Sequence, residues 1–295
     1  MSDQNKRKHE AAIQSVYKVT ADNAFAQQRY ITDSDPKSHK QGSKGAAPSV
    51  TEEKAIAFVL SKLKPTDTDL QPIPIEIKDF CSICGFNERY YYSHTRTILL
   101  SLTSRSVFLW ENGGEHARPY FIDIGWTPGC SILTFTINPL LKPYLVQLSG
   151  NFFQFTLRNI LAMKTDSGIR LYKVLKSLYY KYNDTIPAPI EISVDSLKEY
   201  LDCVDKYGKF ADFRRRVLEP ALKDINEFSD LEVEMETVKS GKTITTLVFQ
   251  TIDLVKEDMP ADQTEAARRS RNVNKKIDPD QYIIDEIFDG IGDYP

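Results

Sequence analysis

Apolar positions first fall into a helical rhythm in the segment that begins at residue 49. Ile56, Val59, Leu60 and Leu63 share one face, Ser49 and Glu52 have the spacing of a capping box, and Pro65 follows, which predicts a helix over 49–63. A short helix at 78–84, a turn and a longer helix at about 88–104 follow. In the longer one Tyr91, Thr95, Ile98, Leu99 and Leu102 form the inward stripe, and Arg89, Ser93, Arg96 and Thr97 face out. Strand patterns are expected at 105–110, 119–124 and 131–137, and Asn138 and Pro139 suit the N-cap and first turn of the helix after them.

The same order then recurs. Pro72-Ile73-Pro74-Ile75-Glu76-Ile77 reappears 115 residues later as Pro187-Ala188-Pro189-Ile190-Glu191-Ile192. An amphipathic helix precedes each copy. In the second, over 167–182, Ile169, Tyr172, Leu175 and Leu178 or Tyr179 share a face. A short helix (194–202), a turn and a longer helix (about 209–227) follow the second copy as they follow the first. Leu231, Val233 and Met235 then alternate with Glu232, Glu234 and Glu236, Lys239-Ser240-Gly241-Lys242 makes a tight turn, and 243–250 returns with Leu247 and Phe249 on one side. Helix, short strand, helix, turn, helix and β-hairpin is the plan of a winged helix, a variant of the helix-turn-helix. A repeat longer than 100 residues marks a duplicated domain, not a solenoid. The expected fold is α+β: two tandem winged-helix domains related by pseudo-symmetry, 15–163 and 164–255, between tails at 1–14 and 256–295 expected to be disordered. A flexible insertion is expected over 31–48.

A chain of 295 residues suits two domains, and 41% hydrophobic with 27% charged residues is ordinary for a globular protein. No run of 18 apolar residues is present and the N-terminus lacks an apolar signal core, so a cytoplasmic protein with four reduced cysteines (Cys81, Cys84, Cys130 and Cys203) is expected. The net charge of −3 looks unsuited to nucleic acid, but its distribution is uneven. Residues 277–295 hold six acids and no base, whereas 206–216 hold five bases and one acid.

That basic cluster opens the second long helix. Phe210, Phe213, Val217, Leu218, Ala221, Leu222 and Ile225 form its packing stripe, and Lys209, Asp212, Arg215, Arg216 and Lys223 stand opposite. An α-helix fits the major groove, arginine can grip guanine with two bonds, and aspartate can accept from cytosine. Lys209, Asp212, Arg215 and Arg216 are therefore the candidate base-reading residues. Lys206, Lys223, Lys239, Lys242, Arg89, Arg96 and Arg105 are the candidate phosphate contacts, and Arg214 fits a phosphate or salt-bridge role at the helix flank. The bland alternative is a solvated charged face; position as the second helix of a helix-turn-helix argues against it.

Three other signals are weaker. Cys81 and Cys84 have the spacing of half a zinc site, but no second pair follows, and they suit the core of the 78–84 helix. Residues 240–243 resemble the end of a phosphate-binding loop, yet Glu236 stands where its first glycine belongs and the segment reads as a hairpin. His9, His39, His94 and His116 form no His-x-His pair of the kind a nicking initiator needs.

With these residues in view, the chain resembles the iteron-binding replication initiator (Rep) proteins of theta-replicating plasmids, the initiator Rep superfamily. The resemblance rests on residues 167–172 (SGIRLY), 207–221 (YGKFADFRRRVLEPA), 224–226 (DIN), the 239–242 turn and 247–249 (LVF). Residues 52–65, 133–148 and 21–24 also resemble the family's first domain, with 31–48 as an insertion. The resemblance implies a second domain that reads direct repeats at an origin through Lys209, Asp212, Arg215 and Arg216. It implies a first domain that contacts backbone and carries a dimer surface. It further implies initiation by monomers in equilibrium with a homodimer that represses its own promoter at an inverted repeat. Melting of an AT-rich segment and recruitment of the host initiator and replicative helicase would follow. No cofactor, membrane contact, ATPase or polymerase activity is implied. The insertion and the acidic tail depart from the pattern; residues 281–288 mix apolar and acidic residues and could dock a partner or fold back. A double winged-helix transcription regulator is the nearest alternative and a DNA-nicking enzyme a more distant one.

Overall fold

The computed structural model describes residues 17–30, 47–85, 91–111, 113–127, 130–182 and 189–254. Most of the expected 31–48 insertion and the expected tails therefore lie outside the described residues. The first half runs β1 (Lys18–Asp22), α1 (Asn23–Ala26), α2 (Val50–Leu60), β2 (Ile73–Glu76), α3 (Ile77–Ile83) and α4 (Tyr91–Thr103). It continues with β3 (Ser106–Glu111), β4 (Gly114–Pro119), β5 (Phe121–Trp126), β6 (Ile132–Ile137), α5 (Lys142–Leu145), β7 (Phe152–Thr156) and α6 (Leu157–Ala162). The second half comprises α7 (Asp166–Tyr182), β8 (Ile190–Ser193), α8 (Val194–Tyr200), α9 (Phe210–Phe213), a π-turn at Arg214–Leu218, α10 (Glu219–Phe228), β9 (Leu231–Ser240) and β10 (Thr243–Asp253).

The two halves share one topology. Three antiparallel strands are ordered β2-β6-β5 in the first and β8-β10-β9 in the second. Ile73 and Ile75 face Phe135 and Leu133, as Ile190 and Ile192 face Phe249 and Leu247. The equivalence is offset by 117 residues, since α3 starts at Ile77 and α8 at Val194. The repeated hexapeptide, offset by 115, is therefore displaced by two residues from the structural match. A displacement of two keeps the same side chains on the core face, so the pattern survives it.

Local signals explain several boundaries. Ser49 and Glu52 form the capping box at the start of α2: Ser49 N–H donates to Glu52 Oε2 at 2.7 Å, and Glu52 N–H points back at Ser49 Oγ at 3.5 Å. Asn138 Oδ1 accepts from Leu140 N–H at 3.1 Å, with Pro139 in the first turn, as expected. Cys81 and Cys84 are core residues, and Cys81 Sγ lies 3.0 Å from Thr95 Oγ1, joining α3 to α4. Three strands were not foreseen. Strand β4, GEHARP, has no apolar alternation, because its pairing with β3 leaves Glu115, His116 and Ala117 in solvent. Strands β1 and β7 pair antiparallel across 130 residues of chain, a closure no local pattern announces.

Helix α7 is the centre of the molecule. Of its expected face Ile169, Tyr172 and Leu175 are buried and Leu178 and Tyr179 partly so; Leu171, Val174, Lys176 and Ser177 are also without exposed surface, and Arg170 is nearly so. It packs on α10, β8 and α8 of the second half and on β7, α1 and α2 of the first. Lys173 Nζ reaches Glu53 Oε2 of α2 at 2.5 Å, and Arg170 Nη2 donates to the carbonyl of Pro48 at 2.6 Å. Gln27 Nε2 donates to Ser177 Oγ at 3.1 Å, and Tyr30 N–H to the carbonyl of Glu199 at 3.0 Å, so the N-terminal segment also clasps the second domain.

Lys176 is the most demanding of these groups. Its ammonium lies 2.8 Å from Asp230 Oδ2 and 3.1 Å from Asp253 Oδ2, at the two feet of the β9–β10 hairpin. Removing one partner of a buried ion pair costs about 3–5 kcal/mol, whereas replacing the whole set with neutral groups costs far less. Lys176→Met should therefore lower the urea-unfolding free energy by about that amount. Lys176→Met combined with Asp230→Asn and Asp253→Asn should recover most of it. A second expectation concerns Glu52, which accepts from Arg105 Nε at 2.9 Å and from the Ser101 hydroxyl. Burial pushes its carboxyl up, but Arg105, Ser101 and Ser49 more than offset this and hold it below the ordinary range. Its stabilisation is present above the unfolded-state pKa and lost as pH falls through the lower folded value. Glu52→Gln should flatten the acid limb of the stability–pH curve.

Candidate nucleic-acid interface

The helix that presents the basic cluster is built on a continuous apolar stripe. Phe213, Val217, Leu218, Ala221 and Ile225 are buried, and Phe210 and Leu222 are partly so. Tyr207, in the left-handed region at φ 59°, sets its ring tilted against Phe213 at 6.4 Å between centroids and closes the turn before the helix. Lys198 Nζ, from α8, donates to the Tyr207 carbonyl at 3.3 Å. The preceding helix, the turn and the presenting helix are thus one packed unit.

Two side chains of α10 fix its direction, and neither role is visible as chemistry in the sequence. Asp224 is buried, and its Oδ2 accepts from Lys164 N–H (2.9 Å), Thr165 N–H (2.6 Å) and Thr165 Oγ1 (2.6 Å) at the entry to α7. Gly168 permits this approach: a Cβ there would lie 2.7 Å from Thr165 Oγ1 and 3.0 Å from Asp224 Cβ. Asn226 brackets Val233 of β9, donating to its carbonyl at 3.0 Å and accepting from its N–H at 2.8 Å. One residue pins the helix to α7 and the other pins the wing to the helix.

On the opposite side Lys209, Arg214, Arg215, Arg216 and Lys223 are exposed and Asp212 is half-buried. Arg215 Nη2 meets Asp212 Oδ1 at 3.1 Å, a pair that links two candidate reading residues. Arg214 Nε meets Glu219 Oε1 at 3.1 Å. Among the described residues Lys209, Arg216 and Lys223 have no ion-pair partner. Lys239 and Lys242 are exposed at the hairpin tip, Lys239 just before the Ser240–Thr243 closing pair and Lys242 within the turn. Gly241, at φ 62°, takes the first central position of a two-residue turn that favours glycine there. Lys206 is exposed in the turn before the helix and donates to the Asp202 carbonyl at 3.0 Å.

The first domain contributes less. Arg96 and Thr97 of α4 are exposed, and Thr95, Ile98, Leu99 and Leu102 are buried as expected. Arg89 lies outside the described residues. Arg105 differs from its expected role as a phosphate contact. It is largely covered and ion-paired with Glu52, whose carboxylate is 2% exposed, because that buried charge requires a cation beside it. The sequence also left Glu219 without a role, although it is the partner of Arg214. Among the described residues no group of three or more His, Cys, Asp or Glu side chains is placed to hold a metal ion, and no helix is long and apolar enough to cross a membrane.

Two winged helices in tandem, with a basic helix and a wing displayed together on the second, define a helix-turn-helix class of protein. Comparison with known proteins makes this specific. Residues 37–176 match the family model "Initiator Replication protein, WH1" and residues 193–251 match "Initiator Rep protein, WH2". Together the models span 199 of the 295 residues, and the chain belongs to the initiator Rep protein family. A curated Replication initiation protein of Escherichia coli is 34% identical over 123 residues, a match covering 40% of this chain and 37% of that protein. The chain thus matches little more than a third of that relative's length. Among solved structures, the Pi initiator protein in complex with iteron DNA superposes with a TM-score of 0.61 at 18% identity, covering 83% of this chain and 99% of that one. Domains 2 and 3 of RctB give 0.40 at 11% identity, over 70% of this chain and 81% of that one.

The packing around Gly168 gives a direct check. Gly168→Ala should destabilise the second domain by about 1–3 kcal/mol, the usual cost of an extra methylene in a tight contact. Chemical denaturation should show it as a lower midpoint with unchanged slope.

Proposed function

We infer that the protein initiates plasmid replication by binding direct repeats in duplex DNA at an origin. The second domain supplies the sequence-reading element and the first domain supplies backbone contacts. The observation that carries this reading is the exposed Arg215–Arg216 face with Asp212 beside it, set on the second helix of a helix-turn-helix and held in place by Asp224 and Asn226. Membership of the initiator family supports replication as the process, and the iteron DNA bound by the Pi initiator supports direct repeats as the target class. In this reading Arg215, Arg216, Asp212 and Lys209 meet base edges. Lys206, Lys223, Lys239, Lys242 and Arg96 meet phosphates. The protein acts by binding and by recruiting host replication proteins, as a monomer in balance with a homodimer, and carries no catalytic step of its own.

Footprinting on the DNA beside its gene tests the reading: protection repeated at one helical face over several similar sequences is expected. Protection of a single promoter site with no effect on plasmid maintenance would favour a transcription regulator instead. Arg215→Ala should cost about 1–3 kcal/mol on the protected sequence and relax its preference. Lys242→Ala should weaken all sequences alike and reduce the salt slope by about 0.9. Equal losses on protected and random DNA for Arg215→Ala would remove base reading from that residue.

A further inference from the structure

Residues five apart on an α-helix point about 140° away from one another, and only those three or four apart are neighbours. Arg214 and Glu219 are five apart, yet their side chains meet at 3.1 Å. The π-turn makes this possible. Glu219 N–H bonds to the Arg214 carbonyl, an i to i−5 closure that brings the two residues onto one side of the helix. Pro220 follows; it has no N–H to offer the Arg216 carbonyl, and its ring crowds that carbonyl, which disfavours an α-type i to i−4 closure at this turn. The same residue pair is therefore closed twice, once through the backbone and once through the side chains.

The three consecutive arginines consequently stand in three electrostatic states. Arg215 is paired with Asp212 three residues before it, Arg214 with Glu219 five residues after it, and Arg216 has no ion-pair partner among the described residues. Arg214 and Glu219 are both about half exposed, so the pair lies at the surface of the presenting helix. A long cation there, if unrestrained, can swing to the nearest phosphate of any duplex, adding affinity that carries no sequence information.

We propose that Glu219 is a specificity-determining residue: it restrains Arg214 against the helix and leaves recognition to Arg215 and Arg216. The inference rests on the reading of the protein as a sequence-specific duplex binder. On random DNA the helix has no base bonds to fix its register, so a released Arg214 finds a phosphate easily. On a cognate duplex the base contacts hold the helix, and the flank position of Arg214 limits the gain. Losing Glu219 therefore strengthens binding to random DNA more than to cognate DNA.

The test uses the full chain, a duplex that the wild-type protein selects from a random pool, and a scrambled duplex of the same length. Glu219→Gln should raise affinity for the scrambled duplex severalfold and steepen its salt slope by about 0.9, one additional phosphate contact. Affinity for the selected duplex should rise less, so the ratio falls. Arg214→Gln alone should match wild type on both duplexes, and Glu219→Gln in the Arg214→Gln background should change neither. An unchanged scrambled-duplex slope in Glu219→Gln would overturn the proposal. So would the same gain in the Arg214→Gln background, which would make Glu219 a direct repeller of phosphate, or equal gains on both duplexes. If the wild-type protein selects no sequence, the parent reading fails; if it selects one and Glu219→Gln is silent, only this proposal fails. Matching circular dichroism spectra and melting curves for all four proteins keep folding out of the comparison.

Discussion

A lysine with no exposed surface cannot keep its charge without carboxylates beside it, and in this protein that requirement organises the second domain. Lys176 lies on α7, and its two partners, Asp230 and Asp253, flank the base of the β9–β10 hairpin, where Leu254 N–H also donates to the Asp230 carbonyl at 2.8 Å. The Tyr172 hydroxyl donates to Asp230 Oδ1 at 2.8 Å and accepts from Asn159 Nδ2, on α6, at 3.0 Å. The ion cluster thus links the wing, the first helix of its own domain and the last helix of the preceding one. Because an unsatisfied member would leave a bare charge in the interior, the wing cannot shift on α7 without a large energetic cost.

The geometry of the candidate reading surface inherits that constraint. Helix α10 is pinned to the start of α7 by Asp224 and to the wing by Asn226, so arginine face and wing lysines are held in one fixed relation. Elements fixed in this way reach a groove with little ordering cost, which leaves more of the interaction energy for discrimination. On the other side of α7, Glu53 receives Lys173 at 2.5 Å and Arg170 at 3.7 Å, so the first domain is fastened to the same helix. Interior charges of one sign face interior charges of the other at the junction between domains, where a purely apolar contact would set position less sharply.

Much of this was readable from local pattern. The capping box at Ser49 and Glu52, the turn at Gly241, the buried stripe from Phe213 to Ile225 and the exposed cations opposite it all follow from short-range rules of spacing and turn chemistry. The duplication was legible too, although the repeated hexapeptide is two residues away from the true structural match. Strand parity is indifferent to an even displacement, so the mismatch left no trace in the hydrophobic pattern. Strand β4 escaped notice for the opposite reason: it has no buried face of its own and exists by pairing with β3.

What the sequence by itself determined is the class of fold and the chemical character of the candidate reading face, because both follow from local helical and strand periodicities and from the order in which those elements recur. Tertiary structure alone decided which charges are available. Arg105 and Arg216 are alike as residues, yet one is spent on a buried glutamate 53 residues away and the other faces solvent. Lys176 reads as an ordinary helix-surface lysine until residues 230 and 253 arrive beside it. The meeting of Arg214 with Glu219 requires a π-turn that no spacing rule for α-helices anticipates. A charge is defined by its neighbours, and neighbours brought from distant parts of the chain are a property of the folded molecule.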